Sequence, residues 1–106
     1  MRIAIIGGLE RNDYKYAEMA SVSGHILENH TGRTGGRGPA EMQRLINRAS
    51  LVIIQITINS HGGVHMAKRI AKQKQKPAVV IPRLGQSGFR EILDKINRNP
   101  DYFNGK

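Results

Sequence analysis

The chain has no cysteine and no tryptophan, only two Phe and three Tyr, and only eight acidic side chains against seventeen Lys and Arg. Without cysteine there is no disulfide framework, no thiolate metal site, no catalytic thiol and no thioether-linked haem. A metal or haem held here has to use histidine, oxygen ligands or methionine. Long apolar runs are missing too. MRIAIIGG at the start is too brief for a secretory signal or a membrane span, and no segment approaches twenty apolar residues. These absences lead us to expect a cytosolic protein without a membrane segment. The shortage of carboxylates leaves a formal charge of +9, which attracts anions: nucleic acid, phosphate-bearing small molecules or the propionates of a haem.

At 106 residues the chain makes one domain, small enough for apolar surface to remain for a partner subunit, so a homodimer is expected. Arg2 to Ile6 reads as a strand, and Gly7-Gly8 supplies the backbone freedom for a tight turn into a helix. Asn12 or Asp13 caps that helix, with Tyr14, Ala17 and Ala20 or Val22 inward, and Gly24 stops it. His25 to His30 reads as an edge strand interrupted by Glu28 and Asn29. Thr31 to Gly38, TGRTGGRG, is the one long glycine-rich segment, and Pro39 opens the next helix. Met42, Leu45, Ile46 and Ala49 then form an apolar stripe at i, i+3, i+4 and i+7.

Leu51 to Ile56 is apolar apart from Gln55, as a central strand covered on both faces is. Ser60 caps a third helix with Val64, Ala67, Ile70 and Ala71 inward and Lys68, Arg69, Lys72, Lys74 and Lys76 mostly outside that stripe. Ala78 to Ile81 is the fourth strand, and Phe89, Ile92, Leu93 and Ile96 mark one face of a last helix. Strands alternating with helices predict a small open α/β fold: a mostly parallel four-stranded sheet, order 2-1-3-4, with helices on both faces, flavodoxin-like or Rossmann-like. Residues 1–97 form the domain and 98–106 a polar tail.

In that order the strand sequence reverses between the first and third strands, so the loops after Ile6 and Ile56 flank the crevice where such sheets bind ligands. Its rim carries Gly7, Gly8, Glu10, Arg11 and Asn12 on one side and Thr57, Asn59, Ser60 and His61 on the other. Neighbouring loops add His30, Thr31, Arg33, Arg37, Arg83 and Gln86.

His61 and His65, four apart, share one helix face and could both reach one metal ion, but no third ligand is evident and the glutamate of a zinc-protease helix is absent. Axial ligands approach a haem from opposite faces, so only one of the two could bind a given iron. Arg33, Arg37 or Arg83 would meet the propionates, and Ile58, Val64, Met66 and Leu84 could pack on the ring. The same residues also suit a capped, solvated helix over an ordinary core. His30, at a strand end, is a stronger site candidate than His25. TGRTGGRG resembles a phosphate cradle before a helix amino terminus, although it is neither a Walker A loop nor GxGxxG. With the lysine helix it supports an alternative reading, a regulatory module binding an anion, a nucleotide or nucleic acid. No nucleophile-base-acid set can be named, so enzymatic turnover is not indicated.

The GG near the start, the histidine followed by TGR, the NSH after the third strand and the basic helix ending in KP resemble the bacterial single-domain members of the family DUF2325, over the chain to about Ile96. The resemblance implies a small α/β fold, dimers and haem binding in single-domain relatives. On that reading His30, His61 and His65 are the residues to test as haem ligands or neighbours, with Arg33, Arg37, Arg83, Asn59 and Ser60 lining the cofactor.

Overall fold

The computed structural model describes residues 1–8, 13–57 and 59–104. Four strand-helix units follow one another: β1 (Arg2–Ile6), α1 (Asp13–Val22), β2 (Ile26–His30), α2 (Gly38–Arg48), β3 (Leu51–Gln55), α3 (His61–Gln73), β4 (Ala78–Ile81) and α4 (Gln86–Arg98). The strands form one fully parallel sheet in the order β2-β1-β3-β4, as expected.

The register sorts the strand side chains onto two faces. Ala4, Ile6, Val52 and Ile54 pack with Met42 and Ile46 of α2 and Ala67, Ile70 and Ala71 of α3. Ile3, Ile5, Leu51 and Ile53 pack with Ala20 of α1 and Phe89, Ile92, Leu93 and Ile96 of α4. Every residue of β3 is buried, because helices cover both sides of it. The inward stripes expected for α2, α3 and α4 are the observed ones.

The phase of α1 differs from expectation. Tyr14 and Val22 are 79% and 84% exposed; Ala20 faces the core as expected, joined there by Tyr16 and Met19. Tyr16 sets this phase: its ring meets Phe89 edge-on at 5.5 Å between centroids, and its hydroxyl donates to the Leu84 carbonyl at 3.1 Å. Both partners lie about seventy residues away along the chain, where local periodicity carries no information about them. His25 bridges the amino-terminal nitrogen (2.9 Å) and Asn97 Oδ1 (2.6 Å), a structural role. Beyond α4, Phe103 packs against the core that α1 and α4 cover. Among the described residues no helix is long and apolar enough to cross a membrane.

Candidate functional site

The carboxyl edge of the sheet is laced across its centre by side chains that end on backbone groups. Gln55, buried at the end of β3, donates from Nε2 to the Gly7 carbonyl (3.0 Å) and accepts the Leu84 N–H at Oε1 (2.8 Å), joining the turns after β1, β3 and β4. Asn59 donates from Nδ2 to the Gln55 carbonyl (2.9 Å) and accepts the Ser60 N–H at Oδ1 (2.9 Å). Ser60 Oγ caps α3 by accepting the Gly63 N–H (2.8 Å) and donates to the Gly32 carbonyl (3.1 Å).

His30 completes the lacing. It is buried; its Nδ1 accepts the Gly32 N–H and its Nε2 donates to the Gly38 carbonyl, both at 2.9 Å, which puts the ring proton on Nε2. Both nitrogens are thus engaged in holding the two ends of the glycine-rich loop. Two of the glycines are required by close approach. The site a Gly32 side chain would take, at φ +94°, is filled by the Asn59 amide, and that of a Gly63 side chain by the Gly32 carbonyl. His30, Asn59 and Ser60, picked out by the sequence as site residues, therefore share one hydrogen-bonded interlock.

Two cavities open beside it. One, of about 390 Å³, is lined by Ile56, Thr57, Asn59, His61, Val64, His65 and Lys68. Here the structure brings His61 and His65 together on the first turns of α3, both exposed. Ile56 borders them and is 48% exposed. Arg83 is exposed directly after Pro82, whose carbonyl accepts the Thr57 N–H at 2.8 Å. Of the side chains expected to pack on a ring, Val64 lines this cavity and Met66 is packed against the α2–α3 core. Leu84 is a correction: it is buried in the core on the other face of the sheet, held there by the Tyr16 and Gln55 hydrogen bonds to its backbone.

The second cavity, about 610 Å³, lies at the ends of β1 and β2 against α2, lined by Gly7, Gly8, Glu28, Thr31, Arg33, Glu41, Arg44 and Arg48 among others. Arg33 is here, paired with Glu41 at 2.8 Å, so it does not share the histidine cavity. Arg37 is exposed at the residue preceding α2. Glu10, Arg11, Asn12 and Ile58, all named above, lie outside the described residues. Sequence reasoning missed Glu28, Arg44 and Arg48 as cavity residues, although the i, i+3, i+7 spacing of Glu41, Arg44 and Arg48 marks one face of α2.

Arg48 grips Glu28 with two donors, Nε at 2.8 Å and Nη2 on the second oxygen. That hydrogen bonding outweighs partial burial and, with the charges of Arg48 and Arg2, holds the Glu28 carboxyl below its ordinary value. A lowered folded-state value stabilises the fold above the ordinary carboxylate range and ceases to do so as pH falls through it. Glu28→Gln should therefore lower the urea midpoint at neutral pH, with the difference from the parent closing in strong acid; an equal difference at both would refute this assignment.

Among the described residues no three His, Asp or Glu side chains are placed to hold a metal ion. The histidine cavity offers two imidazoles, short of the three or four protein ligands of a zinc centre.

The model of a family described as "Uncharacterized protein conserved in bacteria (DUF2325)" matches residues 2–96. The chain belongs to the DUF2325 family. Two curated relatives are UPF0751 proteins of Desulfitobacterium hafniense. One, from strain DSM 10664 / DCB-2, is 27% identical over 103 residues, covering 96% of this chain and 98% of the relative. The other, from strain Y51, is 26% identical over 98 residues, covering 91% and 96%. No solved structure matches the chain. The DUF2325 match spans all four strands, both cavities and α4 to Ile96, so the interlock and the histidine turn both lie inside the family region.

Proposed function

We propose that this DUF2325 chain is a haem-binding protein that senses or carries haem or a diatomic gas, with His61 or His65 as the protein ligand to iron. The observation that carries this reading is the convergence of two exposed imidazoles on one cavity beside Ile56, an apolar side chain left half exposed at a sheet end. The lining fits the group: imidazole for iron, Ile56 and Val64 for the ring face, and the Lys68 cation for a propionate. Bound haem would supply the site for a gas or an electron; the chain's residues hold and orient it.

The cavity's 390 Å³ is at the small end for a ligand pocket, so the ring projects from it. Ile56 and Val80 fall on the same face of the sheet by alternation, and Val80 is 40% exposed. In this account a second copy of the chain covers the projecting ring and that apolar ledge.

Titrating the protein with hemin tests the reading. A Soret band should grow to one haem per chain, the sedimenting species should double in mass, and His61→Ala or His65→Ala should remove the histidine-ligated spectrum. A band unchanged by either substitution and by both together would overturn the assignment.

A further inference from the structure

Charge is distributed very unevenly over this fold. Nine of the seventeen Lys and Arg, but one of the eight Asp and Glu, lie between Thr31 and Lys76, so this stretch holds +8 of the chain's +9. The fold gathers its charges into one layer, because α2 and α3 pack side by side over the same core, while α1 and α4, with mixed charge, cover the opposite face.

The one acid of the stretch, Glu41, is taken by Arg33, and Glu28 of β2 is taken by Arg48. Arg44, Lys68, Arg69, Lys72 and Lys74 are exposed and form no ion pair among the described residues. Lys68 and Lys72 continue the outward stripe begun by His61 and His65, at i, i+4, i+7 and i+11, a line of about 16 Å at 1.5 Å per residue. Arg44 of α2 and Lys74 at the end of α3 border one groove between the helices, with the amides of Gln43 and Asn47. Concentrated like charge lowers the stability of a compact state. The opposite face, with mixed charge, shows that this fold does not need it.

We infer that the α2–α3 face docks on the phosphate backbone of duplex nucleic acid. Residues 31–76 contain no Phe, Tyr or Trp, which removes the stacking platforms that hold single strands. A membrane surface is disfavoured because interfacial helices insert large apolar side chains, and Ile56 is the one exposed large hydrophobic residue in the described part of this stretch. What remains is a field of cations and amides suited to phosphate oxygens, and contacts of that kind position a protein without reading sequence.

Fluorescence anisotropy with a labelled mixed-sequence DNA duplex, the same duplex as RNA, and a single strand of equal length tests this. For about five phosphate contacts the logarithm of affinity should fall with the logarithm of salt at a slope of about −4.5. The double variant Arg69→Glu/Lys72→Glu should lose tenfold or more at low salt and flatten that slope by about 2. Arg90→Glu/Arg98→Glu on α4 changes net charge equally and should stay within twofold; circular dichroism melts establish that both variants are folded. The duplex bound more tightly identifies the natural form. Equal losses in the two variants, a single strand preferred over duplex, or binding to phosphatidylserine vesicles with none to duplex would each overturn the proposal.

Discussion

Gly63→Ala is expected to lower the melting temperature by roughly 10 °C, although alanine is the better helix former. In an open helical position the exchange would stabilise by up to about 1 kcal/mol. At Gly63 the added methyl falls on the Gly32 carbonyl oxygen and against Asn59 Oδ1. Neither can withdraw freely, since Gly32 O accepts the Ser60 hydroxyl and Asn59 Oδ1 accepts the Ser60 N–H. Forcing the loops apart costs about 1–3 kcal/mol as overpacking, and each kcal/mol is worth about 4–8 °C in a domain near this size. Gly62→Ala is the internal comparison. Its Cβ would meet only the Thr34 side chain, at 3.3 Å, and it should melt within a few degrees of the parent. Equal melting of the two variants would mean that the interlock does not hold the edge together.

His30→Ala is expected to be the most damaging change among the four histidines, by about 2–4 kcal/mol in denaturant unfolding. The ring is buried and serves two backbone groups of the glycine-rich loop, the Gly32 N–H and the Gly38 carbonyl. Its removal leaves the buried Gly32 N–H without a partner, at about 1–3 kcal/mol, takes one bond from the Gly38 carbonyl and adds the cost of a cavity. The exposed His61 and His65 should tolerate alanine with small changes in stability. If His61→Ala or His65→Ala costs as much as His30→Ala, the division between the buried, loop-holding His30 and the exposed pair is wrong.

That division also shows what can be read from such a sequence. The strand order, the parallel sheet and three of four helix faces follow from residues whose periodicity is local and strong, such as the Met42, Leu45, Ile46 and Ala49 stripe. The phase of α1 does not, because Tyr16 takes its orientation from Phe89 and Leu84 on the far side of the chain. At the sheet edge, polarity drew notice to His30, Asn59 and Ser60, and the three do meet there. Their partners are backbone groups of Gly32, Gly38 and Gln55, which sequence does not display as polar. The reason Arg33 stands apart from the histidines is likewise non-local: Glu41 holds it over the cavity at the ends of β1 and β2.

The interlock and the histidine cavity have complementary roles in this account. Backbone-bonded His30, Asn59 and Ser60 make a rigid edge, and sites carried on rigid elements hold a ligand more accurately than sites on free loops. The first turn of α3, capped by Ser60, presents His61 and His65 from that edge.

The decisive measurement is the Soret spectrum of the hemin-titrated protein compared across three chains: the parent, His61→Ala/His65→Ala, and His30→Asn, which keeps a donor and an acceptor in the buried position. A histidine-ligated band is expected in the parent and in His30→Asn, and its loss from the double variant. A band that survives in the double variant and disappears in His30→Asn would contradict this ligation.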